Sequence, residues 1–202
     1  MSRTSRAGRR GASSTARDDI AKAARALFGD VGFDTATMRG IAHRAGVDQA
    51  LIGYFFGSKQ ELFAQVMDLP LDPAVVIPHV TSGGPREVGE RLARVVLEAL
   101  DDPARRAVIE GMVRSAASHP HAAAMIRDRI TATVLLPLAS AVAGGAGEQN
   151  DAELRASLAM SQVLGLVMAR HVVALEVLQA ASTDVLIAQV APTLQRHLVG
   201  GP

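Results

Sequence analysis

Thr37–Phe56 reads TMRGIAHRAGVDQALIGYFF, and this stretch decides the fold. Two short helical segments, Thr37 to Ala45 and Asp48 or Gln49 to Phe56, meet at Gly46-Val47. A turn that tight needs a residue at positive φ, which glycine supplies without a Cβ clash. Helices crossing so closely need a small side chain on the inner face of the first, and Ala42 meets that need. Ile41, Ala45, Val47, Ile52 and Phe55 are the expected shared core. Alanine, then glycine four residues on, then isoleucine six further is the spacing of a helix-turn-helix. An ordinary helical hairpin in a core would share the glycine turn. The basic setting of this one, behind a packing helix, favours the DNA-binding version.

Upstream, residues 1–15 are rich in Ser, Arg and Gly and are expected to be a disordered basic tail. From Ala16, the residues Ile20, Ala23, Ala24, Leu27 and Phe28 recur at helical spacing, with Gly29 or Gly32 as the stop. Downstream, Ser58 and Glu61 form the S-x-x-E signature of a helix start. Residues 16–68 therefore read as a three-helix helix-turn-helix domain. Pro70, Pro73 and Pro78 mark a linker over about 69–84. Beyond it the pattern is helical again: a helix from Pro85, one capped by Asp102-Pro103 and stopping near His119-Pro120, and one over about 121–142 kinked at Pro137. A loop is expected over 144–150, a long helix over 151–180, and a last helix capped by Thr183 or Asp184. The expectation is an all-α chain of nine or ten helices, with residues 69–202 as a larger C-terminal domain.

Composition agrees. Aromatic residues make up only 3% of the chain, so the 49% hydrophobic content is mostly helix-favouring Ala and Leu with Val. The net charge of +1 hides an asymmetry: residues 1–60 hold ten Lys/Arg against five Asp/Glu, while the rest is net acidic. A basic end on a mildly acidic body suits a polyanionic partner. With no Cys there is neither disulfide nor thiolate chemistry. No apolar stretch follows the N-terminal arginines as in a secretory leader, and the longest uncharged run, Ile130–Gly147, is interrupted by threonines, a proline and glycines. A cytoplasmic protein without membrane partner, cofactor or metal is expected.

An all-α enzyme or ligand-binding protein that does not bind DNA is the competing reading. Its candidates are His119-Pro120-His121 and Glu110 with His171, but no H-E-x-x-H, P-loop, nucleophile elbow or dinucleotide fingerprint supports it.

Residues 17–68 resemble the DNA-binding domain of the tetracycline-repressor (TetR) family of bacterial regulators. The resemblance rests on Ile20, Ala23-Ala24, Leu27-Phe28, Gly32-Phe33, Thr37, Ile41-Ala42, Ala45-Gly46-Val47, Tyr54-Phe55-Phe56, Ser58-Lys59 and Glu61-Leu62-Phe63. It implies that the helix from Asp48 enters the major groove, with Gln49 reading a base edge and Ala50 touching a thymine methyl. Asp48 is expected chiefly to cap that helix. Thr37, Tyr54 and Lys59 would hold phosphates, assisted by Arg39 and Arg44. His43 is expected in solvent. Leu51 and Gly53 depart from the Thr and Tyr common at those positions, so base preference does not transfer.

For the C-terminal domain the resemblance implies a homodimer on a palindromic operator and a small-molecule effector. The helix over Ser157–Leu178 is apolar nearly all round and needs cover on two sides. With the last helix it gives the interface candidates Val163, Val167, Leu175, Leu186, Val190 and Leu194. Pocket candidates are Met112, Met125, Leu135, Met160, Leu164 and Met168, with Arg114, Gln162, Arg170 and His171 as polar groups. The implied function is a sequence-specific transcriptional repressor released by its effector.

Overall fold

The computed structural model describes residues 5–67, 69–143 and 149–199, with side chains from residue 15 in the first stretch and from 151 in the last. Two compact units emerge: residues up to 68 together with 107–123, and 69–106 together with 124–202. By contacts, residues 107–123 of the expected second domain group with the first unit.

In the first unit, α1 (Ser5–Thr35) is interrupted at Gly32, whose φ of 76° is not helical. Of the two candidate stops, Gly32 makes the break. Gly29 stays helical and lies against α7 (Pro103–Ser118). The helix also begins earlier than expected, since residues 5–15 were read as irregular. Once the Ile20–Phe28 segment has nucleated a helix, extension through Ala and Arg needs no second nucleation step. Residues 1–4 of the expected tail lie outside the described residues. Phe28, Phe33 and Phe63 form the centre of the unit, with ring centroids 5.0 Å apart for Phe28–Phe63 and for Phe33–Phe63. Both pairs meet edge to face, the arrangement ring quadrupoles favour. Burying each ring contributes roughly 2–3 kcal/mol. Ser115 of α7 accepts the Phe33 N–H at 3.1 Å, satisfying a buried donor where the helix breaks.

Around that centre stand α2 (Met38–Ala45), α3 (Gln49–Phe56) and α4 (Lys59–Val66). Ile41 and Ile52 are fully buried between them. Phe55, expected in this core, is only half-buried, and Phe56 takes the place. Phe56 lies one turn after Ile52, on the same side of the helix. Ala45 and Val47 are half-buried.

In the second unit the prolines of the expected linker do not prevent a helix. Asp72 caps α5 (Pro73–Thr81), accepting the Ala74 N–H at 2.9 Å, with Pro73 in the first turn where its missing N–H costs nothing. Arg91 of α6 (Val88–Asp101) donates to the carbonyls of Val80 and Gly84. α6 packs along α12 (Thr183–Val199) through Ala93, Leu97, Leu100, Ala191, Leu194 and Leu198, all buried. Gln195 of α12 caps α6 from outside: its side-chain carbonyl accepts the Gly89 N–H at 2.8 Å while its amide donates to Pro85 O.

The expected helix over 121–142 is α8 (Pro120–Ile130) and α9 (Leu136–Val142), joined by a wide π turn at 131–135. Pro137 lacks an N–H and crowds the carbonyl four residues back, so the ladder widens just before it. The expected helix over 151–180 also breaks. It runs as α10 (Gln149–Val167), widens into a π turn at 168–172, and ends with Ala174 at φ 61° before the short α11 (Glu176–Ala180). Ser182 rather than Thr183 or Asp184 caps α12, while the Thr183 hydroxyl donates to Asp101 at 2.7 Å. Of the expected loop at 144–150, residues 144–148 lie outside the described residues. These breaks, with α5, give more helices than the nine or ten expected. No described helix is long and apolar enough to cross a membrane.

Candidate nucleic-acid interface

Of the sequence-predicted DNA contacts, Thr37, Arg39, Asp48, Gln49, Ala50 and Lys59 stand at the N-terminal ends of α2, α3 and α4, whereas Arg44 is in the last turn of α2 and Tyr54 in the second half of α3. Thr37 caps α2, its hydroxyl oxygen accepting the Gly40 N–H at 3.0 Å. α2 closes at Gly46 (φ 67°), a cap residue in the left-handed region. Two residues later Asp48 caps α3, accepting the Ala50 N–H at 2.7 Å. One oxygen of the exposed Asp48 carboxylate is thus taken up in capping its own helix, as expected. Ser58 and Glu61 complete a reciprocal capping box at α4. Hydrogen bonds from the Ser58 backbone and side chain hold the Glu61 carboxyl below its usual range.

α3 has a sharply divided surface. Ile52 and Phe56 face inward, while Gln49, Ala50, Gly53 and Tyr54 are exposed, Tyr54 to 83%. A Cβ on Gly53 would meet nothing within 4 Å, so no described residue covers this position.

Of the expected cations, Arg39 is exposed and has no ion-pair partner among the described residues. Arg44 is exposed but paired with Asp30 at 2.6 Å. Lys59, expected to hold a phosphate, is half-buried and has contacts within the chain. Its ammonium lies 4.5 Å from the Phe33 ring centroid and donates to the Asp34 carbonyl at 3.2 Å. Desolvation lowers its pKa, opposed by the charge of Asp34. The signal was in the sequence: a lysine heading a helix beside Phe33-Asp34 can cover an aromatic face with its stem while keeping donors outward. The Lys59–Asp34 bond also ties the start of α4 to the turn before α2. Sequence reasoning missed Arg17, which lies over the Phe56 ring at 5.0 Å and donates to Gln65, and Arg25, which donates to Val66 O. His43 is exposed, as expected.

The C-terminal candidates divide. Met112 and Arg114 lie in the first unit, where Met112 is buried and Arg114 donates to Gly29 O at 2.6 Å. They serve packing there, since α7 inserts beside α1. Met125, Leu135, Met160, Leu164, Met168 and Arg170 lie in the second unit, as do Gln162 and His171. Two clefts in that unit have other linings: about 450 Å³ beside Glu90, Arg94, Asp184 and Gln195, and about 480 Å³ beside Ile77, Pro78, Arg129 and Pro137. Among the interface candidates, Val167 at the end of α10 is buried within this chain, and so are Leu186 and Leu194 of α12, the helix that packs along α6. Val163 and Val190 are half-buried and Leu175 is exposed. Besides Leu175, the exposed large apolar residues from α10 onward are Leu154, Leu158 and Leu164 of α10, with Val173, Val177 and Val185.

His119 and His121 do not form a metal site. The Nδ1 of His119 accepts the Ala122 N–H, its ring packs on Phe33, and its Nε2 lies 3.4 Å from Asp34. Among the described residues no group of three or more His, Asp or Glu is placed to hold a metal.

The pattern of the family described as bacterial regulatory proteins, tetR family, matches residues 20–66. The tetracyclin repressor-like C-terminal domain matches residues 86–198. A TetR-family regulator from Streptomyces coelicolor is 34% identical, with 92% of this chain and 95% of that one covered at a TM-score of 0.59. NalD of Pseudomonas aeruginosa, the secondary repressor of the MexAB-OprM multidrug efflux pump, is 17% identical over 94% of this chain and 98% of its own at a TM-score of 0.71. SmeT, solved in complex with triclosan, is 20% identical over 88% and 90% of the two chains at a TM-score of 0.65. No functionally curated protein matches the chain.

Proposed function

The chain belongs to the TetR family of DNA-binding transcriptional regulators, and from that premise we propose that it is a repressor which binds a palindromic operator as a homodimer and leaves it when a small molecule binds the second unit. One observation carries this reading: α3 offers Gln49, Ala50, Gly53 and Tyr54 to solvent while Ile52 and Phe56 anchor it. A helix so held can enter the major groove end-on. Gln49 reads a base edge through its amide, which has no internal partner to give up. Ala50 lies against a thymine methyl. Thr37, whose oxygen already accepts from Gly40, keeps its hydroxyl proton for a phosphate, and Arg39 and Tyr54 hold the backbone on either side. Arg44 and Lys59 contribute through the donors that Asp30 and Asp34 leave unused. The bare surface at Gly53 lets the backbone approach more closely than a side chain would allow.

One such helix reads only a few base pairs, so two copies are needed for a specific site. The exposed Leu154, Leu158 and Leu164 of α10, with Val185 at the start of α12, supply an apolar face for the second copy. NalD, of the same fold, is a secondary repressor, and SmeT was solved in complex with triclosan. Both support the repressor and effector parts of the reading. Titrating the full chain against labelled DNA from upstream of its own gene, over a range of salt, tests it. Affinity in the nanomolar range that falls steeply and linearly on a log–log plot, at two protomers per site, is expected. Binding that is absent, or weak and indifferent to sequence, overturns the reading.

A further inference from the structure

Arg170 stands apart from every other charged residue described. It is the only buried one, 8% exposed, and it sits within the π turn at 168–172 that ends α10. One guanidinium nitrogen donates to Ala181 O at 3.2 Å, while the second terminal nitrogen is buried without an acceptor. No carboxylate among the described residues pairs with it. A guanidinium carries five N–H donors and no acceptor, so only acceptors or water can satisfy it. Taking such a charge from water without a partner is costly, and folded chains keep the arrangement rarely.

The helix end that carries Arg170 is itself unusual, a π turn closed through a left-handed residue, with the Val173 N–H on Met168 O and the Leu175 N–H on Ala169 O. The turn that carries Arg170 is a π turn, a widening of the helix that costs hydrogen-bond geometry and recurs at functional sites. Four residues on, Ala174 holds φ 61°, a left-handed conformation unfavourable for a residue with a Cβ. Strain of this kind gathers at ligand clamps. A cation in the last turn of a helix is favoured by the helix dipole, and the bond to Ala181 O uses one guanidinium nitrogen; the second terminal nitrogen is left over. The neighbours Val167, Met168 and Val172 are apolar, and an apolar residue at 170 would continue them.

We propose that Arg170 is the receptor for a small organic carboxylate, and that this carboxylate is the effector of the regulator. The planar fork matches a carboxylate in two parallel hydrogen bonds. One buried cation balances one negative charge, so a monoanionic carboxylate fits better than a phosphate dianion, which would bring a second charge with no cation to meet it. The apolar side chains flanking the turn suit the hydrocarbon part of such a ligand. The effector clause rests on the repressor reading above; the binding site does not.

The test uses the full-length protein and paired probes of equal shape: octanoate against octanamide and benzoate against benzamide, at millimolar concentration, with inorganic phosphate as a third arm. Melting temperature is read for the wild type, Arg170→Met and Arg170→Lys. At least one carboxylate raises the wild-type Tm by a few degrees while its amide does not. Arg170→Met loses that response and, without ligand, melts about 2–4 °C higher than the wild type, because an unpaired buried charge has gone. Arg170→Lys keeps the charge without the fork and binds about tenfold more weakly. The carboxylate that binds weakens wild-type affinity for promoter DNA at least about fivefold and leaves that of Arg170→Met unchanged. Several results overturn the site: no carboxylate stabilising the wild type, equal response in Arg170→Met, phosphate acting as well as the carboxylates, or Arg170→Met lowering the Tm or splitting a dimer. The last would make Arg170 structural or interfacial. A wild type that binds carboxylate through Arg170 yet never binds DNA keeps the site and removes the regulator reading.

Discussion

Gly29 and Gly111 face each other across α1 and α7 so closely that a Cβ on Gly111 would stand 2.6 Å from the Gly29 Cα. Backbone meets backbone there, and no flexible side chain can yield. This contact draws the 107–123 segment into the DNA-binding unit, together with the Arg114–Gly29 and Phe33–Ser115 hydrogen bonds. Gly111→Ala is therefore expected to destabilise the protein by about 1–3 kcal/mol, the usual cost of overpacking. Gly53→Ala, in open space on α3, is expected to stabilise by about 0.5–1 kcal/mol. Urea denaturation of both variants checks the pair; equal midpoints would contradict the close crossing.

Ala174 pays for its left-handed conformation, whereas glycine would not. Ala174→Gly should gain about 0.5–1 kcal/mol once the greater freedom of glycine in the unfolded chain is set against the relieved strain. A higher Tm with unchanged helical content by circular dichroism is the expected result. A lower Tm would show that the turn is not strained.

The Ser58–Glu61 capping box gives a pH signature. The Glu61 pKa is lowered in the folded state, so its contribution is present above the unfolded value and is lost as pH falls through the lowered one. Glu61→Gln should therefore melt below the wild type at neutral pH, and the two curves should converge in acid, below the ordinary carboxylate range. A constant difference across that window would remove the charge from the account.

The arginines at positions 3, 6, 9 and 10 lie ahead of the interface in sequence. Deleting residues 1–15 is expected to lower DNA affinity and to flatten the salt slope by about one for each arginine that meets a phosphate. An unchanged slope would limit the DNA contacts to the helical unit.

Much of the first unit was legible because its signals are local. Gly46, Asp48, Ser58 and Glu61 each act within four residues of themselves, and each does what its side chain favours. Long-range features were not legible. Nothing near Gly111 in sequence announces Gly29, and nothing at Gln195 announces that its amide will cap α6. Apolar pattern alone marked Leu186 and Leu194 as interface, whereas α6 had already claimed that side of α12. The break at 173–175 was hidden for a related reason: Val172, Val173 and Leu175 continue an apolar run whether or not the helix does. Lys59 was misjudged in degree, since a long basic side chain can serve an aromatic ring and a phosphate with different parts of itself.

The central claim is that the outward face of α3 reads DNA. It is tested most directly by measuring the affinities of the wild type, Gln49→Ala and Tyr54→Ala for a set of operators differing at single base pairs. The expected result is that Tyr54→Ala weakens every operator by a similar factor, while Gln49→Ala erases discrimination at one position, worth about 1–3 kcal/mol there. If Gln49→Ala leaves all operators in their wild-type order and spacing, the face shown by α3 is not the one that meets the bases.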